Sequence, residues 1–219
     1  MVDIESIPDR REFSKQQPPK ATKWPRTERR RARVAGVLSR RQLDLALVLE
    51  DVRDPHNVGA ILRTCDAVGV PRIHLVYSRD DPPIGTFKRT SSAGAAKWID
   101  PVWHESVSAC YAALRADGFM VFAMAFEPMA KDLYALDLLQ PTAFVLGNEE
   151  RGLSDAARAQ ADGSIVIPMM GMVQSLNVSV AAAVVLYEAL RQRRADGQYE
   201  RSHPDDAAFA SVIDNWLKR

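Results

Sequence analysis

Features that define several protein classes are missing from this 219-residue sequence. Its two cysteines, Cys65 and Cys110, are too few for a disulfide framework and form no CxxC metal motif. No apolar run approaches the ~18 residues needed to cross a bilayer, and the first residues lack the apolar segment of a secretory signal. These absences predict a soluble, cytoplasmic protein with no membrane contact.

Motifs of several enzyme classes are also absent. The sequence contains no GxGxxG dinucleotide fingerprint, no GK[ST] phosphate loop and no GxSxG nucleophile turn. Its four histidines show no spacing typical of metal ligands, so we predict no metal site. A dehydrogenase with a dinucleotide site is therefore disfavoured.

The net charge of +1 conceals an uneven distribution of charge along the chain. Residues 1–41 contain twelve Lys or Arg and five Asp or Glu, whereas residues 42–190 contain eleven and eighteen. The first segment therefore carries a net charge of +7 and the second −7. This asymmetry favours a polyanionic partner held by the basic ends, although a solvated basic tail remains the alternative.

Hydrophobic residues make up 47% of the chain, which is enough for a folded core. Apolar strand-like runs alternate with helical patterns, and this predicts an α/β fold with a parallel sheet flanked by helices. We predict four segments: a mobile N-terminal segment, a basic N-terminal helix, an α/β domain and a C-terminal helical extension. Their bounds are 1–24, 25–43, 44–190 and 191–219.

The last long helix is apolar on nearly every side between Leu176 and Leu190. A helix of this kind must be buried on nearly all sides. A helix that covers a sheet normally keeps one solvent-exposed face. We therefore predict that a second subunit covers this face of the last helix. Burial by the chain's own terminal segments is the alternative.

Three loops follow predicted strands, where parallel α/β domains bind ligands. They read "EDVRDPHNVGAILRTCDAVG", "FVLGNEERGLS" and "IPMMGMVQSLNVSVAAA". In the first, Asn57 is either a helix N-cap or a cleft residue, and Arg63 is either a cleft residue or half of a surface ion pair. In the others, Ser154 and either Ser175 or Asn177 are predicted to begin helices.

Together and in this order, the three loops resemble the SPOUT superfamily of RNA methyltransferases. The match extends over roughly residues 25 to 219, and this breadth resembles the TrmH-type tRNA 2′-O-methyltransferases, which methylate a guanosine ribose at position 18 of the D-loop. The resemblance implies an α/β domain with a deep C-terminal trefoil knot, S-adenosyl-L-methionine as cofactor, tRNA as partner and a homodimer.

The resemblance also implies roles for individual residues. The catalytic group consists of Arg63, Asn57, Glu149, Ser175 and Asn177. The cofactor-binding group consists of Phe126, Gly147, Ile167 and Leu176. The RNA-binding group consists of Arg30, Arg33, Arg41, Arg191 and Arg193. A ribosomal RNA ribose methyltransferase on the same scaffold and a non-catalytic RNA-binding module are the alternatives.

Overall fold

The computed structural model describes residues 26–83 and 95–200, together with residues 213, 214, 216 and 217. The predicted mobile segment 1–24 lies outside this part of the chain. Within the described residues, no helix combines the length and the apolar character that a membrane span requires.

A seven-stranded sheet forms the centre of the molecule, and all its pairs are parallel. The spatial order is β3-β2-β1-β6-β4-β7-β5. This confirms the predicted parallel α/β architecture. The strands are β1 (Leu45–Glu50), β2 (Arg72–Val76), β3 (Asp100–His104), β4 (Met120–Met124), β5 (Lys131–Asp132), β6 (Thr142–Leu146) and β7 (Gly163–Val166).

In the described part of the chain, five α-helices with defined bounds connect or flank these strands. They are α1 (Arg26–Leu38), α2 (Pro55–Val68), α3 (Val107–Ala116), α4 (Asp155–Gln160) and α5 (Val178–Ala195), with 3₁₀ turns at Ala96–Trp98 and Leu133–Ala135. Helix α1 lies within the segment 25–43 for which a basic helix was predicted. The predicted boundary between residues 190 and 191 instead falls inside α5, so the C-terminal extension begins as a continuation of that helix.

Two apolar cores cover the two faces of the sheet. All six residues of β1 are buried, which is typical of a strand covered on both sides. Leu45, Leu47 and Leu49 point to the face covered by α2 and α5, and Ala46 and Val48 point to the face covered by α3 and α4. Each fully buried leucine contributes about 1.5–3 kcal/mol to folding. The sheet is therefore a rigid platform for the loops at its ends.

A smaller apolar cluster joins the two terminal segments. Val34 and Leu38 of α1 pack with Ile213 and Trp216 near the C-terminus. An ion pair of 2.6 Å between Arg31 and Asp214 lies beside this contact. Apolar packing and an ion pair consequently hold the N-terminal helix against the C-terminal segment.

The position of Arg41 argues against its predicted role in RNA binding. Its side chain is only 2% exposed. The guanidinium donates to the Asp66 carboxylate at 2.6 Å and to the Val70 carbonyl at 3.0 Å, and it lies 5.0 Å from the centre of the Trp216 ring. Desolvation lowers the pKa of Arg41, an effect that the charge of Asp66 opposes. Arg41 is a structural residue that connects the end of α1 to α2.

The burial of Arg193 argues against its predicted role in RNA binding for the same physical reason. Its side chain is fully buried. The guanidinium donates to the Asp44 carboxylate, and it also donates to the carbonyl oxygens of Leu138 at 2.9 Å and Gln140 at 3.0 Å. These bonds hold α5 against the loops that precede β1 and β6. A phosphate would have to displace them to reach Arg193.

Helix α5 has one buried face and one partly exposed face. Ala182, Val185 and Leu186 belong to the core beneath α2. Val180 is 46% exposed and Tyr187 is 51% exposed. Within the described part of the chain, the terminal cluster contains no residue of α5. The contacts seen here therefore do not support burial of this helix by the chain's own ends.

Candidate active site

The first and second of the three loops meet at the carboxyl edge of the sheet. β1 and β6 are neighbours in register, with Leu49 opposite Leu146, so the loops that follow them lie side by side. The third loop follows β7, one strand further on beyond β4. This is the edge at which open α/β sheets bind their ligands.

A hydrogen-bond network connects all three loops through the side chains of Asn57, Glu149 and Asn177. The Asn57 amide nitrogen donates to a Glu149 carboxylate oxygen at 2.9 Å. The Asn177 amide nitrogen donates to the Asn57 amide oxygen at 3.0 Å. Three residues separated by up to 120 positions therefore form one polar unit. The structure brings together three of the five predicted catalytic residues.

Glu149 also binds the backbone where α2 begins. Its carboxylate accepts hydrogen bonds from the N–H groups of Arg53 and Asp54, each at 3.2 Å. Partial burial would raise the pKa of Glu149, but the hydrogen bonds from Asn57 and from these N–H groups outweigh it and lower the pKa below its ordinary value. Glu149 is therefore an anionic acceptor that holds the loops, and it is a poor candidate for a general base.

Asn57 does not cap α2, although capping was the simpler interpretation of its position. Asp54 is the N-cap residue, and its carboxylate accepts a hydrogen bond from the His56 N–H at 2.8 Å. Pro55 occupies the first helical position, where a missing N–H costs nothing. The Asn57 side chain is thus left for the polar network. By contrast, Ser154 and Asn177 do cap α4 and α5, as predicted.

The loop after β6 is closed so tightly that only glycine fits at position 147. A Cβ atom built on Gly147 would lie 2.3 Å from the Gly152 carbonyl carbon and 2.4 Å from the Leu153 nitrogen. Backbone hydrogen bonds between Asn148 and Gly152, at 3.1 and 2.9 Å, close the turn. Packing within the loop is therefore what requires glycine here, and the predicted cofactor-binding role of Gly147 stays a prediction.

Two buried acids hold this edge in place, and the sequence analysis missed both. Glu50, at the end of β1, accepts hydrogen bonds from the Ser154 N–H at 2.8 Å and from its hydroxyl at 2.6 Å. Asp51 has a positive φ of 52° and accepts from the Ser78 N–H at 2.9 Å. Their signal in the sequence is two acids at the end of an otherwise apolar strand, where a charge is retained only if it is satisfied.

Arg63 and Ser175 lie outside the polar network. Both are exposed, and no hydrogen bond or ion pair links either side chain to another residue that the structure describes. Arg63 lies six residues after Asn57 on α2, which places the two side chains about 120° apart around the helix axis. The surface ion pair that was the alternative for Arg63 is not present among the described residues.

Apolar side chains surround the carboxyl ends of β4 and β7. Phe126 is 94% exposed, and Met170 and Met172 are also almost fully exposed. Ile167 and Leu176 are half-buried beside them. Among the described residues, no backbone-to-backbone hydrogen bond involves an N–H or C=O group of the segment 168–176. Backbone groups that have no backbone partner, next to exposed apolar side chains, fit a flat heterocycle with polar edges, such as adenine.

The remaining basic residues of the RNA-binding prediction are exposed. Arg30 and Arg33 lie on the surface of α1. Arg191 is 67% exposed and pairs with Glu188 at 2.8 Å. The hydrogen bond from Arg191 lowers the pKa of Glu188. These three side chains, unlike Arg41 and Arg193, are accessible to a phosphate.

Comparison with known proteins identifies the family. Residues 44–187 match the sequence profile of the SpoU rRNA Methylase family. The chain belongs to this family. A protein of Thermus thermophilus named tRNA (guanosine(18)-2′-O)-methyltransferase is 48% identical over 194 residues. This match covers 89% of the present chain and 98% of that protein.

Solved structures of SpoU proteins share this fold. The crystal structure of the A. aeolicus TrmH/SpoU tRNA modifying enzyme has a TM-score of 0.78 at 33% identity, and the match covers 88% of this chain and 96% of that one. The SpoU methyltransferase AviRb from Streptomyces viridochromogenes, solved in complex with the cofactor AdoMet, has a TM-score of 0.62 at 27% identity. That match covers 72% of this chain and 61% of AviRb.

Proposed function

We propose that this chain transfers a methyl group from S-adenosyl-L-methionine to the ribose 2′-hydroxyl of guanosine 18 in the D-loop of tRNA. The Asn57–Glu149–Asn177 network is the observation that carries the proposal, because it joins the three family loops into one site. The name of the Thermus relative supports guanosine 18 of tRNA as the substrate, since the match covers nearly all of that protein.

A ribosomal RNA substrate is the second candidate. The description of the family supports it, because that description names ribosomal RNA. The names of the relatives favour tRNA, since both the Thermus protein and the A. aeolicus structure are named for tRNA. A non-catalytic RNA-binding role is less consistent with the tight closure of the loop after β6 around Gly147.

The methyl donor fits the edge formed by the loops after β4, β6 and β7. Phe126, Ile167 and Leu176 offer apolar surface for an adenine ring, and the backbone of segment 168–176 offers hydrogen bonds for its edges. Gly147 keeps the neighbouring loop compact enough to leave this space. When bound, the sulfonium supplies an already activated methyl group.

Arg63 is the residue that acts on the ribose in this proposal. A guanidinium does not normally lose its proton in a protein, so Arg63 stays charged and stabilises the negative charge that develops on the 2′-oxygen. Water or an RNA phosphate accepts the hydroxyl proton. Asn57 and Asn177 hold the loops that position the ribose, and Ser175 is placed to bond the RNA or the loop. In the alternative mechanism, Arg63 itself acts as the general base and accepts the proton of the 2′-hydroxyl.

We also propose that the chain works as a homodimer and that its C-terminal segment forms the trefoil knot of the family. The exposed Val180 and Tyr187 on α5 support a second copy on that face. The position of β7 between β4 and β5 supports the knot, because the late part of the chain lies between two earlier strands. Arg30, Arg33 and Arg191 are then free to bind phosphates of the tRNA.

The test is methyl transfer to an unmodified tRNA transcript, followed by nuclease digestion and mass spectrometry. We expect one 2′-O-methylguanosine per tRNA, at position 18, and no comparable product with ribosomal RNA. Arg63→Lys keeps the charge but loses the planar fork, and should reduce kcat by more than about tenfold with little effect on tRNA binding. Arg72→Lys, at the amino end of β2, is the matched control. Methyl groups on a base, or on ribosomal RNA alone, would contradict the proposal.

A further inference from the structure

A cluster of metal-ligating side chains lies on β2, β3 and α3, away from the three loops. The donor atoms of His74, His104 and Cys110 all lie within 4.8 Å of one another. The sequence analysis predicted no metal site, because these residues are separated by thirty and six positions and match no known ligand motif. Strand pairing and the start of α3 bring them together.

The register of the sheet explains this arrangement. Val76 of β2 lies opposite His104 of β3, so His74 and His104 point to the same face, two residues apart along the strands. Helix α3 begins soon after β3, with Ser106 as its N-cap, and its first turn places Cys110 over that face. All three residues belong to regular elements, which favours a site with fixed geometry.

The two imidazole rings are in direct hydrogen-bond contact. The Nδ1 atom of His74 is 2.9 Å from the Nε2 atom of His104, and the rings are only 12° from parallel. In the protein alone, one proton lies between these nitrogens. Cys110 is fully buried beside them and is a free cysteine. Two imidazoles and a thiolate are ligands that Zn²⁺ and similar borderline ions prefer to Mg²⁺ or Ca²⁺.

We propose that His74, His104 and Cys110 bind a Zn²⁺-type divalent transition ion at a structural site on the β3 edge of the sheet. The proton between the two neutral rings moves to the outer nitrogen of the ring that carries it, so both inner nitrogens are free to bind the ion and each ring has one proton on its outer nitrogen. The Cys110 thiol loses its proton to solvent, so binding forms two metal–nitrogen bonds and one metal–sulfur bond and releases one proton. Water completes a tetrahedral coordination.

Binding requires the two imidazole rings to move apart. Nitrogen ligands ~2.0–2.1 Å from a tetrahedral zinc ion are ~3.4 Å apart, so the two rings must separate by about 0.5 Å and tilt. Of the three proposed ligands, His74 lines a cavity of about 300 Å³, together with Arg72 and Asp117. The opposite charges of these two neighbours offset each other near the proposed ion.

The site would connect β2, β3 and α3 without taking part in methyl transfer. β3 is the edge strand, and β2 separates it from β1, whose following loop belongs to the polar network. The bound ion would therefore raise thermal stability and leave kcat nearly unchanged. This inference does not depend on the proposed activity.

The test uses full-length protein stripped of metal with a chelator. Zn²⁺ affinity is measured by competition with a chromophoric chelator, and Co²⁺ is used as the spectroscopic probe. We expect one ion per chain, a rise in Tm with Zn²⁺, and a near-ultraviolet sulfur-to-cobalt charge-transfer band. Cys110→Ala should abolish that band, and His104→Gln should weaken Zn²⁺ binding by at least about tenfold.

Cys65→Ala is the matched control, because Cys65 is equally buried but lies on α2, outside the cluster. It should keep the cobalt band and the Zn²⁺-dependent rise in Tm. The metal-free Tm of each variant shows that it is folded. Failure of the wild-type chain to bind one ion, or unchanged Co²⁺ spectra and Zn²⁺ affinity in Cys110→Ala and His104→Gln, would overturn the proposal.

Discussion

Glu149→Gln is the substitution that tests the polar network most sharply. The carboxylate accepts one hydrogen bond from Asn57 and two from the backbone N–H groups of Arg53 and Asp54. Glutamine removes the charge and turns an NH₂ group toward these donors. A hydrogen bond to a charged acceptor contributes about 1.5–3 kcal/mol when buried. Because Glu149 is partly exposed, we reduce the expected total to about 1–3 kcal/mol of unfolding free energy.

The effect on catalysis should follow from the misplacement of the loops. A loss of about 1.4 kcal/mol in transition-state stabilisation corresponds to a tenfold fall in kcat/KM. We therefore expect chemical denaturation to show a lower midpoint and methyl-transfer assays to show kcat/KM reduced about tenfold or more. Glu150→Gln is the matched control, since this neighbouring carboxylate is exposed and no hydrogen bond to its side chain is seen among the described residues. Equal behaviour of the two variants would refute the network.

The same substitution predicts a pH dependence with a defined sign. The folded pKa of Glu149 lies below its ordinary value of 4.5. Its contribution to stability is therefore fully present above pH 4.5 and is lost as pH falls through the lower folded pKa. The difference in unfolding free energy between wild type and Glu149→Gln should be constant above that pH and shrink below it. A difference that grows on acidification would contradict the assignment.

Packing and charge lead to three further predictions. Gly147→Ala should distort the loop after β6 and weaken S-adenosylmethionine binding in calorimetry, whereas Gly36→Ala, where a Cβ meets nothing within 4 Å, should not. Arg193→Ala should lower the unfolding free energy by about 1–3 kcal/mol because it leaves the carbonyl oxygens of Leu138 and Gln140 without their donor, whereas Arg191→Ala should cost less than about 1 kcal/mol. Arg33→Ala should weaken tRNA binding and reduce the slope of log K against log salt by about one unit.

Each of these predictions has a contrary result. Normal donor affinity in Gly147→Ala would mean that the loop tolerates expansion. A stable Arg193→Ala protein with weak tRNA binding would restore the RNA-binding role that its burial argues against. An unchanged salt slope in Arg33→Ala would remove the N-terminal helix from the RNA interface.

Local chemistry allowed much of the fold to be predicted. Apolar runs such as "LALVLE" identified central strands, and capping residues identified the starts of α4 and α5 at Ser154 and Asn177. The two-residue strand β5 was missed, because it is too short to show a period. The spatial order of the strands depends on long-range pairing, and nothing in the local pattern determines it.

The arginines show most clearly where sequence reasoning fails. Arg30, Arg33 and Arg41 lie in one basic stretch and look alike in the sequence. Only the folded chain shows that Arg41 is buried against Asp66 while the other two are exposed. Charge patterns report composition along the chain, whereas burial depends on partners distant in sequence.

The functional residues also differ in whether they could be identified before the fold was known. The resemblance to a known family singled out Asn57, Glu149 and Asn177, and the structure links them. The sequence marks Glu50 and Asp51 only as two acids at the end of an apolar strand, and their partners come from other loops. The groups that these acids bind are recognisable only once those loops are in place.

The most direct test of the central claim compares two tRNA transcripts that differ by a single oxygen atom. One carries guanosine at position 18 and the other carries 2′-deoxyguanosine, and methyl incorporation from labelled S-adenosylmethionine is measured for both. We predict one methyl group per molecule for the first transcript and none for the second. Equal incorporation into both would mean that the three loops do not direct the methyl group to that ribose oxygen.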